Sequence, residues 1–253
     1  MSGIDGKLVS KSGFCYVCGN RGFVDKVCPE CGRPAVKKTI DFSSVDVGDF
    51  QEQLRALQVP EQYRGVTWDG DVLKHYKTGD ANNSAFDKYV RQLDKVHTVF
   101  ASGELPKKSV IVISPAGYSK RTFAYSCMQR ALLKGWTVAP MLDTIELKRM
   151  LVLCADKPMY KLYSCIDYDT YMMSDVCCVE VTRLPQHAYA APVIQEILDR
   201  RGRLGKSTIV LSNFSLEEMS KYDSFGSFSA IKNQGVVDNY KYPAIIPFRK
   251  FDD

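Results

Sequence analysis

Long hydrophobic runs are missing from this sequence. No stretch of about 18 apolar residues occurs, which excludes an apolar helical membrane span, and the opening "MSGIDGKLVSKSG" lacks the apolar core of a secretion signal. Histidine is scarce, with His75, His97 and His187 scattered in no metal-like or triad spacing, and helix-surface or packing roles are expected for them. Repeats and low-complexity tracts are absent as well. Charge of either sign is not in large excess: the net formal charge of the 253 residues is +5, a weak pull toward nucleic acid that a solvated lysine-rich surface explains equally well. A cytoplasmic, membrane-free protein is expected.

Cysteine, by contrast, is plentiful at nine. Without an export signal these thiols are expected to stay reduced, as metal ligands or core fillers. Four of them make a pattern, Cys15-x2-Cys18 and Cys28-x2-Cys31 within "CYVCGNRGFVDKVCPECGR". Each CxxC turns two thiolates toward one centre, and two such knuckles close a tetrahedral S4 shell suited to Zn(II) with no vacant position. A structural zinc ion is therefore expected, stapling a segment too small to fold alone. Cys127, Cys154, Cys165, Cys177 and Cys178 lie in apolar runs and are expected to fill core.

Three segments are expected: a zinc ribbon over 1–40, a helical linker or partner-binding segment over 41–105, and a core over 106–253. In the second, Phe50, Leu54 and Leu57 share one helical face, and Phe86, Val90, Leu93 and Val96 or His97 share another. In the third, "SVIVIS", "WTVAPML", "VCCVEV", "STIVLSN" and "AIIPFR" alternate with helical stretches. Near-continuous apolar strands between helices predict a three-layer α/β core with a mostly parallel sheet. Trp68 and Trp136 are expected to pack in the core or between domains.

Within that core, "SVIVISPAGYSKRTFAYS" has the outline of a phosphate-binding loop: strand, tight turn, lysine, helix. A working loop reads GxxxxGK[ST], whose glycines let backbone N–H groups wrap the phosphates while Lys meets the β/γ oxygens and the hydroxyl holds Mg²⁺. Here Ser114 replaces the first glycine, Ser119 the second, and Arg121 stands at the Mg²⁺ hydroxyl; Gly117 and Lys120 remain. The strand "SDVCCVEV" ends with Glu180 where the Mg²⁺-side acid belongs and Val181 where a water-polarising acid belongs. The strand "STIVLSN" ends in Ser212-Asn213.

In this order of parts the chain resembles AAA+ helicase loaders of the DnaC and DnaI type and the related IstB-type ATPases. The resemblance spans about residues 55–235 and is carried by "VPEQYRGVTWD", "VIVISPAGYSK", "SDVCCVEV" and "VIQEILDRRGRLGKSTIVLSNFSLEEM". It implies a P-loop AAA+ core that binds ATP between subunits, self-associates and grips single-stranded DNA, with an N-terminal part that holds a hexameric replicative helicase. Lys120 carries over as the phosphate lysine, Glu180 as the Mg²⁺-side acid and Asn213 as the γ-phosphate sensor. The loop glycines, the Mg²⁺ hydroxyl, the second acid and the trans-acting arginine do not; Ser227 and Phe228 stand where loaders carry a Ser-Arg pair. Losing an arginine finger alone costs about 10³-fold or more in rate, so ATP hydrolysis is expected to be lost. Tyr118, Ser119 and Arg121 are expected to crowd the loop against nucleotide, although Arg121 could supply the charge of Mg²⁺ in metal-free binding. Such a pared-down loader would suit a phage or mobile element.

The basic stretch "LDRRGRLGK", with Arg200, Arg201, Arg203 and Lys206, reads equally as a nucleic-acid contact or as a solvated helix end where arginine suits the helix dipole. Two other functions stay open: a weak ATPase with an atypical loop, and a zinc-ribbon nucleic-acid binder that uses the core as architecture.

Overall fold

The structure, a computed structural model, describes residues 13–14, 21–23, 47–77, 84–106, 109–143, 147, 168–181, 190–214, 218 and 245–247. Cys15, Cys18, Cys28, Cys31, Cys154, Cys165, His187, Ser227 and Phe228 lie outside these residues. Two compact units emerge: a helical one from Met1–Glu104 and Ala116–Gly135, and a sheet-bearing one from Leu105–Pro115 and Trp136–Asp253.

The helical unit contains a short antiparallel hairpin, β1 (Gly13–Phe14) with β2 (Arg21–Phe23). Its helices are α1 (Val47–Ala56), α2 (Gly70–Tyr76), α3 (Ser84–Ser102) and α4 (Lys120–Leu133). The helical faces read from spacing are buried: Phe50 and Leu54 on α1, and Phe86, Val90, Leu93 and Val96 on α3, joined there by Tyr89, Val99 and Phe100. Each such side chain contributes about 1.5–3 kcal/mol on burial, so α3 is the unit's main hydrophobic strut. α2 begins at Asp69, whose carboxylate accepts from the N–H groups of Asp71 and Val72. Gly70 is required next: a Cβ there would lie 2.6 Å from both Asp94 Oδ1 and Val90 Cγ1 on α3. Lys74 then pairs with Asp87 of α3 at 3.3 Å.

The irregular segment between α1 and α2 has buried backbone groups that need partners. Side chains of α4 supply them. Gln129, fully buried, accepts from Gly65 N–H at 2.6 Å and donates to the carbonyls of Tyr63 and Val66 at 2.9 and 3.3 Å. Ser126 Oγ accepts from Trp68 N–H at 2.8 Å. Tyr63 stacks on Tyr125 at 4.7 Å, and Trp68 meets Phe123 edge-on at 5.6 Å. "VPEQYRGVTWD" is thus bolted to the helix that follows the phosphate loop.

The second unit is built on a five-stranded parallel sheet with spatial order β4-β5-β6-β3-β7. The strands are β3 (Val110–Ile113), β4 (Leu142–Asp143), β5 (Val176–Val181), β6 (Ser207–Ser212) and β7 (Ile245–Pro247). Every residue of β3, β5 and β6 is buried, as expected of parallel strands covered on both faces. This is the expected parallel α/β fold. Helices α5 (Tyr168–Met173) and α6 (Ala190–Arg203) belong to the same unit. The strand expected over "WTVAPML" is reduced to one bridge, Val138 to Val176, followed by β4; Pro140 has no N–H to give the ladder. Cys177 and Cys178 are fully buried, and burial pushes their thiols up, Cys177 to about 11. They and Cys127 are core, as expected. Trp136, 36% exposed, is not a core residue.

Candidate functional site

The chain leaves β3 toward β4 and leaves β6 toward β7, in opposite senses along the sheet. The strand order therefore reverses between β3 and β6, and in open α/β sheets ligands bind outside the carboxyl ends of the strands at such a reversal. The register brings the sequence-predicted residues of this unit to that edge. Ile113, Ser212 and Val181 lie side by side, and one row deeper Val112, Leu211, Glu180 and Asp143 do the same. Ser114 N–H donates to Ser212 O at 3.1 Å, and Asn213 N–H to Val181 O at 3.4 Å, so the three strand tips stay level. Ser212 Oγ accepts from Phe214 N–H and donates to Phe214 O, both at 2.9 Å, which fixes the turn that presents Asn213. Ser114, Glu180 and Ser212 are all buried.

Sequence reading missed Asp143. It ends a two-residue strand in register with Glu180, so a second carboxylate stands beside the first even though Val181 occupies the second-acid place in β5. The available signal was an apolar run, "APMLD", ending in an acid as "VCCVEV" nearly does.

Gly117, Lys120 and Arg121 belong to the helical unit. Gly117 has φ +84° and Ser119 φ +55°. The second value lies in the left-handed region, where a glycine would sit in a working loop, and Ser119 holds it with a side chain attached. Lys120 opens α4 and is only 7% exposed, while Arg121 is exposed. Tyr118 was expected to crowd the loop. Instead its ring packs edge-on against Phe86 at 6.1 Å, under the Lys77 ammonium at 4.6 Å.

The basic stretch divides. Arg201 is fully buried and is corrected as a nucleic-acid contact. Its guanidinium donates to Thr208 Oγ1 at 2.9 Å and to the carbonyls of Tyr171, Ser174 at 2.7 Å, Asp175 at 3.1 Å and Ser207 at 2.7 Å. It clamps α5, the start of β5 and the start of β6 together, and has no donor directed to a phosphate. Burial lowers its pKa, but a guanidinium remains charged. Lys206 Nζ is tied to Met173 O and, at 3.5 Å, to Asp175. Arg200 and Arg203 are exposed, Arg200 within 3.6 Å of Glu196. This turn precedes β6, while Asn213 follows it. The six-residue strand separates them by about 17 Å, so the basic turn and the reversal edge are at opposite ends of the sheet.

Among the described residues, no cluster of three or more His, Cys, Asp or Glu could hold a metal, and no helix is long and apolar enough to cross a membrane.

No family model matches the chain, and no curated protein matches it. Solved structures do. The chain is similar to the DnaC helicase loader (17% identity, TM-score 0.45, 60% of this chain and 88% of that one). It is similar to DnaI (16%, TM-score 0.44, 60% and 80%). It is also similar to the replication initiator DnaA bound to AMPPCP and single-stranded DNA (14%, TM-score 0.44, 62% and 46%), of which it spans about half the length.

Proposed function

We propose that this chain is a helicase-loader-like DNA replication protein that binds a hexameric replicative helicase and single-stranded DNA and has given up ATP hydrolysis. The observation that carries the loss of hydrolysis is the edge itself. Glu180 is retained at the tip of β5, but the next place holds Val181, fully buried in the ladder, and a valine accepts no proton from water. The partner reading follows from the sequence resemblance. The deciding experiment mixes the protein with the replicative helicase of its own source and measures complex mass by light scattering, with and without ATP. A complex of equal stability in both conditions is expected. A complex that needs ATP overturns the nucleotide part, and no complex in either condition overturns the loader reading in favour of a zinc-ribbon nucleic-acid binder.

For single-stranded DNA, Arg200 and Arg203 are the exposed arginines of the basic turn. Their replacement by alanine is expected to flatten the salt dependence of binding by about one to two phosphate contacts. Cys15, Cys18, Cys28 and Cys31 would hold a zinc ion as four thiolates, a structural role. Chelation should then expose residues 1–40 to protease. An unchanged cleavage pattern would remove the zinc assignment.

Asp143 favours a second reading, a weak ATPase. Its carboxylate beside Glu180 would take the water-activating role that Val181 cannot. Turnover in the presence of helicase and DNA, abolished by both Lys120→Ala and Asp143→Asn, would establish it.

A further inference from the structure

The grip on Tyr118 has no part in that function. We propose that Tyr118 is a latch through which α2 and α3 hold the phosphate loop in its anion-ready shape without any ligand. Two features of Ser119 call for such a device. Its φ of +55° is costly for a residue with a Cβ, and its hydroxyl is buried without a hydrogen-bond partner among the described residues. A residue under both penalties keeps its conformation only where its surroundings over-determine it.

What over-determines it is the neighbouring residue. Tyr89 O–H of α3 donates to the Tyr118 carbonyl at 3.2 Å. A trans peptide sets C=O and the next N–H in opposite directions, so this bond turns the Ser119 N–H away from α3. Phe86 and Lys77 fix the ring of Tyr118. Lys77 is itself placed by the packing of α2 on α3, through the close approach at Gly70 and the Lys74–Asp87 pair. Positive φ at Gly117 and Ser119 leaves successive N–H groups able to converge, the concavity that binds anions elsewhere. A glycine-based loop is free to leave that shape; this one is tethered, and any change in α2 or α3 reaches it through one ring and one hydroxyl. The inference does not depend on helicase binding.

Hydrogen exchange of the full chain, read by mass spectrometry on a peptide covering 114–122 without nucleotide, tests it. Protection is expected in the unmodified protein. Tyr89→Phe removes only the hydroxyl and should speed exchange there about five- to tenfold, the weight of one hydrogen bond, while a peptide from β6 is unchanged. Lys77→Ala should speed it about two- to fivefold. An unprotected loop in the unmodified protein, no acceleration in Tyr89→Phe, or equal acceleration in β6 would each overturn the latch. Should Tyr89→Phe fail to fold, Lys77→Ala at the partly exposed end of α2 decides by the same comparison.

Discussion

The two ends of the parallel sheet carry polar residues for opposite reasons. At the amino end, Arg201 spends all its donors on backbone carbonyls and one hydroxyl of its own unit. Thr137 and Asp175 are likewise engaged with each other, at 2.6 Å between Oγ1 and Oδ2. At the carboxyl end, backbone bonds bring Ser114 and Asn213 level beside the tips of β6 and β5, with Glu180 one row deeper, at the reversal of strand order. A cation among four basic residues turns out to be mortar, while a row of unrelated polar residues turns out to be one edge. Charge in the sequence is a poor guide to which cation faces solvent; the path of the backbone decides.

The sharpest way to break this contrast is at Arg201. Replacement by methionine leaves several buried carbonyls unpaired and should cost about 3–5 kcal/mol, seen as a lower midpoint in chemical denaturation. Arg200→Ala and Arg203→Ala should leave the midpoint within about 0.5 kcal/mol. Equal small effects from all three would return Arg201 to the surface. Gln129 plays the corresponding part in the helical unit. Gln129→Leu strands Gly65 N–H and two carbonyls and should cost about 2–4 kcal/mol. It is expected to loosen the segment 59–69 first, which limited proteolysis would report.

Much of this contrast was legible in the sequence because strands and buried helical faces follow from local pattern. The apolar runs of β3, β5 and β6 and the α3 face fall where local pattern puts them, and Glu180 and Asn213, singled out by the loader resemblance, end or nearly end two of those runs. Roles set by long-range approach did not show. Nothing in "LDRRGRLGK" marks Arg201 off from Arg200; only the meeting of α5 with the starts of β5 and β6 does. Asp143 gains its meaning from pairing with a strand 37 residues later. Tyr118 looked like an obstruction because its neighbours Phe86 and Tyr89 are about 30 positions away.

A pH titration sharpens the comparison by isolating the helical unit. His97 accepts or donates to Ser126 Oγ at 2.8 Å, and burial, followed by the nearby Arg130 charge, lowers its pKa to about 4. The unfolded chain takes up that proton near pH 6.5 and the folded chain only near 4. Stability is therefore full above about pH 6.5 and falls as pH drops through the window to 4, by at most about 3 kcal/mol. Asp94 works the other way, since burial raises its pKa despite the hydrogen bond from Trp68, and its protonation favours the fold as pH falls. The informative quantity is the difference between the unmodified protein and His97→Gln. The variant should lose the slope between pH 6.5 and 4. Parallel curves would mean His97 is solvated.

The effect expected at Ser119 has the opposite sign. Glycine there removes the left-handed strain, about 1 kcal/mol or more, and a buried hydroxyl lacking a partner, a further 1–3 kcal/mol. Against this, glycine gives the unfolded chain more freedom, worth about 0.4–1 kcal/mol. The balance predicts that Ser119→Gly stabilises the protein by at least about 1 kcal/mol, a rise of at least about 2–4 °C in melting temperature for a chain of this size. Most glycine substitutions destabilise, so the sign alone is diagnostic. A stabilised variant would mean that the loop keeps, in serine, a conformation built for glycine. A destabilised one would mean that the hydroxyl holds part of the fold, and the loop would then belong with Arg201 as mortar rather than with Glu180 and Asn213.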